Sequence, residues 1–159
     1  MKILLAAVNA KYIHSNLAVY SLRAYADVYG SARGSGLQGQ AVIEIAEYTI
    51  NQPVDEILMD IYERGPDVAC FSCYLWNISY VEQITAELAK ILPETRIWLG
   101  GPEVSYRADE ILRHHPELEG VMRGEGEETF LELTEYWERE TCAEQKTNAE
   151  RKACAEQKM

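Results

Sequence analysis

The feature that most constrains this 159-residue chain is a regular alternation of short apolar runs with helical stripes. Lys2–Val8 is a nearly unbroken apolar run, the pattern of a strand buried on both faces. Ser15 or Asn16 offers a cap for a helix from about Leu17 to Tyr29. Ala41–Tyr48 reads as a second strand. Pro53 then stands at a first helical position, ahead of Val54, Ile57, Leu58 and Ile61 at helical spacing, and Gly65-Pro66 stops that helix. Asp67–Ser72 predicts a third strand. Ile78, Val81, Ile84, Leu88 and Ile91 predict a third amphipathic helix, ended by Pro93. Arg96–Leu99 predicts a fourth strand and Arg107–His115 a short helix. Glu119–Met122 is expected as a fifth strand and Glu127–Arg139 as a last helix.

Five β–α units in succession imply a doubly wound α/β fold, a five-stranded parallel sheet with helices on both faces. The flavodoxin-like order 2-1-3-4-5 is the expected topology. In such sheets ligands sit beyond the carboxyl ends of the strands, at the point where strand order reverses. The loops of interest are therefore Asn9–Asn16, Ser72–Asn77, Gly100–Tyr106 and Arg123–Glu127.

The formal net charge of −11 argues against a nucleic-acid surface or an anionic membrane, both of which need clustered Lys and Arg. It leaves room for an anionic cofactor held by backbone N–H groups. The early apolar run is too short for a membrane span, and Asn9-Ala10-Lys11 follows at once where a secretory signal would continue. Cys70, Cys73, Cys142 and Cys154 do not space as a disulfide framework, and a cytoplasmic protein is expected. The domain is expected to span residues 1–139. Residues 140–159, in which Cys-Ala-Glu-Gln-Lys occurs twice, lack an apolar stripe and read as a charged helical or disordered tail.

Three motifs mislead. Gly34–Gly39 matches G-x-G-x-x-G, but it follows a helix and precedes a strand, the reverse of the dinucleotide-binding context. Cys70-Phe71-Ser72-Cys73 is a C-x-x-C whose first member lies inside a strand, so two buried thiols are the better reading than a redox or zinc pair. His114-His115 ends a helix, where adjacent side chains do not face one another.

The four loops carry more weight. Asn9, Tyr12 and His14 follow the first strand, and a neutral imidazole there is a possible metal ligand. Ser72, Tyr74, Leu75, Trp76 and Asn77 follow the third, a hydroxyl, two aromatics and an amide suited to a flat cofactor with polar edges, with Asn77 also a candidate helix cap. Gly100-Gly101-Pro102-Glu103 follows the fourth, where paired glycines admit a close backbone approach. Arg123-Gly124-Glu125-Gly126-Glu127 follows the fifth; its acidic residues suit a helix N-terminus, which leaves the two flanking glycines unaccounted for.

Together these loops resemble the cobalamin-binding domains of radical S-adenosylmethionine proteins, over residues 1–139. Gly100–Glu103 and Arg123–Glu127 are the most specific parts of the resemblance, and Leu4–Ala18 is similar to one uncharacterised branch. The resemblance implies a cobalamin-binding module. It implies that Ser72, Leu75, Gly100 and Gly101 accommodate the nucleotide tail, with a Ser–Leu spacing one residue longer than the commonest form. In the wider family an Asp-x-His-x-x-Gly loop supplies an axial histidine. His14 is the matching position here, but Tyr12 stands for the Asp and Leu17 for the Gly, a departure met in the radical branch, where cobalt can lack a protein ligand. No C-x-x-x-C-x-x-C triplet occurs among the cysteines. A [4Fe–4S] cluster and S-adenosylmethionine are therefore expected only in a missing radical domain, acting in cis or in trans. This chain alone is not expected to be catalytic; relatives of full length are expected to be methyltransferases or related enzymes.

The competing reading is a cofactor-free regulatory or interaction domain of flavodoxin-like shape. A response-regulator-like domain needs acids after strand one and a phosphorylatable Asp after strand three, where Asn9 and Ser72 stand. A flavin carrier needs a small-residue phosphate loop after strand one, which Lys11-Tyr12-Ile13 does not supply.

Overall fold

The computed structural model describes residues 1–11, 14–32 and 41–156. Tyr12 and the Gly34–Gly39 motif lie outside the described residues. The order of elements is β1 (Lys2–Asn9), α1 (Leu17–Ala32), β2 (Val42–Thr49), α2 (Val54–Arg64), β3 (Val68–Ser72), α3 (Ile78–Ile91), β4 (Arg96–Gly100), α4 (Pro102–Ser105), α5 (Ala108–His114), β5 (Gly120–Met122) and α6 (Gly126–Glu156). The five strands form one parallel sheet in the order β2-β1-β3-β4-β5, as the alternating pattern predicts.

β1 is the hub. Ile3 to Val8 are all buried because both faces of a central parallel strand are covered. Strand periodicity sorts them into two cores. Leu4, Ala6 and Val8 pack with Ala69 and Phe71 beneath α2 and α3, through Ile57, Ile61, Ile84 and Leu88. Ile3, Leu5 and Ala7 pack with Val68 and Cys70 beneath α1 and α6, through Val19, Phe130, Leu131 and Trp137. Each buried aliphatic chain contributes about 1.5–3 kcal/mol, so β1 anchors both layers.

Two elements differ from expectation. Gly100–Glu103 was expected as a loop, yet its second half starts the short helix α4, with Pro102 at the first helical position and Glu103 in the first turn. α6 runs uninterrupted to Glu156, beyond Arg139 where the last helix was expected to end, so the charged tail continues it as helix. Ala, Glu, Gln, Lys and Arg are strong helix formers, and neither Gly nor Pro breaks the run after Gly126. Two contacts reach the first residues of that continuation: Arg96 pairs with Glu140 at 2.7 Å, and Thr141 reaches the Met1 sulfur at 3.9 Å. Among the described residues no helix is long and apolar enough to cross a membrane.

The chain leaves β1 toward one edge of the sheet and β3 toward the other. Their carboxyl ends therefore flank the crevice at which ligands bind in open α/β sheets.

Candidate functional site

A cavity of about 590 Å³ opens at these carboxyl ends on the α1/α6 side, within the range of about 300–1,000 Å³ typical of small-molecule sites. Leu5, Cys70, Ser72, Gly100 and Met122 form its floor, Val19 and Leu22 one wall, and 123–127 the other. Strand parity makes this floor. Leu5 pairs with Cys70, and the residues two steps beyond Cys70 and Trp98, namely Ser72 and Gly100, point to the same face.

Of the predicted site residues, Ser72, Tyr74, Gly100, Gly101, Pro102, Gly124, Glu125 and Gly126 line the cavity. Asn9, His14, Leu75, Trp76, Asn77 and Glu103 do not. Leu75 and Trp76 stand exposed above it, with Trp76 stacked on Tyr74 at 4.4 Å between ring centres and 8° between planes. Asn77 is buried and spent on the backbone. Its Nδ2 donates to the carbonyls of Val8 and Ser72, both at 2.9 Å, and its Oδ1 accepts from the Tyr74 N–H at 2.7 Å. It occupies the N-cap position of α3 without a side-chain cap bond. Its work is to tie the ends of β1 and β3 to the loop between β3 and α3.

Gly101 has φ +110 and ψ 172, a backbone region open in practice only to glycine. A Cβ there would lie 2.4 Å from the Cys73 carbonyl oxygen. The close approach is held by the Cys73 N–H donating to the Gly100 carbonyl at 2.7 Å. Gly124 has φ +70 and open space around it, and its N–H donates to Ser105 Oγ at 3.2 Å. That hydroxyl donates in turn to the Gly101 carbonyl at 2.8 Å, so the loops after β4 and β5 are bound into one wall. Opposite, Ser21 on α1 donates to Glu127 at 2.7 Å across the mouth.

The loop after β1 is organised by a residue that the sequence pattern did not single out. Glu47, near the end of β2, accepts hydrogen bonds from Asn9 Nδ2 at 3.0 Å, the Asn16 N–H at 2.8 Å and the Tyr20 hydroxyl at 2.8 Å. Burial alone would raise its carboxyl. The bonds from Asn16, Tyr20, Asn9 and Ser15 outweigh that and hold it below the usual range. Asn16 is buried; its Oδ1 accepts from the Ala18 N–H at 3.1 Å and its Nδ2 donates to Ser72 Oγ at 3.1 Å. Alternation along an edge strand marks Glu47 only as outward-facing, and its role shows once β2 is known to lie beside β1.

His14 is exposed, with its N–H on the Lys11 carbonyl at 3.3 Å. The other two histidines end or follow α5, ahead of β5, with rings hydrogen-bonded to the Glu110 carbonyl and to Glu117. Cys70 and Cys73 fall on opposite faces of the sheet, one in each core, so the C-x-x-C cannot act as a pair. Burial pushes both thiols up, Cys73 to about 12.

The geometry so far is that of a doubly wound sheet with a cavity floored by Ser72 and Gly100. A sequence model of the B12 binding domain matches residues 3–134. The chain belongs to the B12-binding domain family. As a B12-binding domain it is 35% identical over 81 residues to the cobalamin-dependent radical SAM methyltransferase TokK of Streptomyces tokunonensis, which covers 51% of this chain and 12% of that protein. It is 34% identical over 68 residues to the 2-(S-pantetheinyl)-carbapenam-3-carboxylate methyltransferase of Streptantibioticus cattleyicolor, covering 43% of this chain and 10% of the other. The chain thus spans about a tenth of the curated relatives it matches. Among solved structures, the cobalamin-dependent S-adenosylmethionine radical enzyme OxsB, with aqua-cobalamin and S-adenosylmethionine bound, superposes with a TM-score of 0.69 at 16% identity, over 87% of this chain and 19% of that one. A cobalamin-binding protein from Desulfitobacterium hafniense superposes with a TM-score of 0.56 at 15% identity, over 87% of this chain and 57% of that one. These superpositions give the fold. The B12-binding domain resembles the cobalamin-binding modules of radical SAM enzymes, and the cofactor-free regulatory reading is not favoured.

Proposed function

We propose that this B12-binding domain holds cobalamin with its nucleotide arm in the cavity and its corrin ring over the carboxyl ends of the strands. The observation that carries this placement is the cavity floor. Gly100 adds no side chain to it, Ser72 offers a hydroxyl, and Leu5, Cys70 and Met122 supply an apolar bed. The residues fit the group: an apolar volume with few polar atoms suits an aromatic base, and Gly101 and Gly124 let the loops close tightly around a bulky ligand. Tyr74 and Trp76, stacked beside the mouth, offer a flat edge to the corrin.

In this reading Asn9 and Glu103 support loops, and Leu75 covers the ring or the domain facing it. When bound, cobalamin supplies a cobalt centre that takes up and releases a methyl group. His14 stands on the only one of the three histidine positions that follows a strand's carboxyl end. Its ring has no hydrogen-bond partner among the described residues to fix its tautomer, as axial imidazoles need. We therefore read the cobalt as held without it. The likeness to the two methyltransferases supports a role as the cofactor-carrying part of a cytoplasmic methyl-transferring enzyme, with 1–139 as the domain body and the cluster and S-adenosylmethionine in a radical domain acting in cis or in trans.

The test is direct: mix the purified protein with hydroxocobalamin, desalt, and record the visible spectrum. A retained cobalamin spectrum at one equivalent supports the reading. No retention, together with no binding in equilibrium titration up to high micromolar concentration, refutes it.

A further inference from the structure

Asn16 is buried behind the cavity wall and does not line it. The orientation of its amide is fixed by capping: Oδ1 accepts the Ala18 N–H, so the atom facing Ser72 is the NH2 group, which donates to Ser72 Oγ at 3.1 Å. Its backbone is held in turn by Glu47, which also accepts from Asn9 and Tyr20. Capping α1 needs only Oδ1, and the buried contact to Ser72 is additional. Ser72 thus spends a lone pair on Asn16. Among the described residues nothing accepts its single hydroxyl hydrogen, and Ser72 lines the cavity.

We infer that Asn16 is a positioning residue that sets the Ser72 hydroxyl as a donor into the cavity, toward a ring nitrogen or an oxygen of the nucleotide arm. It thereby makes the domain prefer complete cobalamin to cobinamide, which lacks that arm. The inference rests on the placement proposed above. A serine hydroxyl has one hydrogen and two lone pairs; with the amide of Asn16 holding one lone pair, the hydrogen, which has no acceptor among the described residues, is the group offered to a ligand. The selectivity then comes from Asn16, a residue that touches no ligand.

The experiment measures binding of aquacobalamin and diaquacobinamide by equilibrium dialysis, for wild type, Asn16→Ser, Ser72→Ala and the double variant. Serine ranks with asparagine as a helix cap but is too short to reach Ser72. The expected result is that Asn16→Ser weakens cobalamin binding about three- to tenfold, the worth of one hydrogen bond, and leaves cobinamide binding unchanged. Adding it to Ser72→Ala costs little more, because both act on one contact. If Asn16→Ser unfolds in a circular-dichroism melt, Asn16→Asp keeps the cap, turns the donor into an acceptor, and is expected to show the same loss of preference. Equal weakening of both ligands, or additive effects in the double variant, overturns the inference while leaving the cofactor reading intact. Failure of wild type to bind either ligand refutes the cofactor reading itself. Equal wild-type binding of both places the arm elsewhere and overturns the inference with it.

Discussion

Gly100 and Gly101 are adjacent, yet alanine at each is expected to do opposite things. At Gly101 an added Cβ meets the Cys73 carbonyl oxygen at 2.4 Å and the Cys73 nitrogen at 3.0 Å, both backbone atoms that no rotamer can move. The φ of +110 adds about 1–3 kcal/mol of backbone strain, and relieving the overlap adds about 1–3 kcal/mol more. Together these make about 2–6 kcal/mol, and at about 2–4 °C per kcal/mol for a domain of this size the melting temperature falls by about 4–24 °C. At Gly100 the added Cβ lies 3.5 Å from Met122 Cε, an ordinary contact, on a strand where alanine is favoured over glycine by about 0.5–1 kcal/mol. Gly100→Ala is expected to melt at or slightly above wild type. It also raises the cavity floor by one methyl group, so cobalamin binding weakens while stability does not. Thermal melts by circular dichroism and cobalamin titration of both variants separate the two effects. A Gly101→Ala protein that melts with wild type refutes the turn geometry. A Gly100→Ala protein that binds cobalamin undiminished refutes the placement of the ligand on this floor.

Three further outcomes are expected. Glu47 has a lowered pKa in the folded state, so its contribution is complete above the unfolded carboxyl value of about 4.3 and is lost as pH falls through the folded value; the stability gap between wild type and Glu47→Gln, measured by urea titration, should be present at pH 7 and close on acidification, and a gap that widens in acid refutes the network. Cys70 and Cys73 are buried with raised pKa values, so iodoacetamide at pH 8 should leave both unlabelled in the native protein and label both in guanidinium, read by peptide mass spectrometry; rapid native labelling of either contradicts its place in the core. His14→Ala should leave the visible spectrum of bound hydroxocobalamin unchanged, whereas a shifted spectrum would make His14 the axial ligand.

What the sequence disclosed was whatever has a short period. The buried run of β1, the stripe from Ile78 to Ile91 and the glycines closing β4 each announce an element, and the strand order follows from β–α alternation. Ser72, Gly100 and Gly124 were legible because they lie where doubly wound folds bind ligands. Glu47, Asn16's link to Ser72 and Ser105 were not, since each acts through a partner 19 to 56 residues away that only the assembled sheet brings near. Asn77 shows the opposite case: an amide in a ligand loop reads as a contact residue, and only its burial shows that it holds the backbone instead. For residues beyond 139 the sequence left helix and disorder both open, because a polar, stripe-free run favours helix by composition but shows no face that would pack it.

Leu5, Cys70 and Met122 belong at once to the core beneath α1 and α6 and to the floor of the cavity. A ligand seated there extends the same apolar layer that keeps the helices on the sheet, so occupancy and fold stability become one quantity, rising together as RT ln(1 + [L]/Kd). Selection acting on either one acts on both. A substitution on this floor that leaves the ligand-free protein intact still makes the loaded protein easier to unfold, and in a cell short of the cofactor the domain's abundance would follow the supply of the molecule it carries.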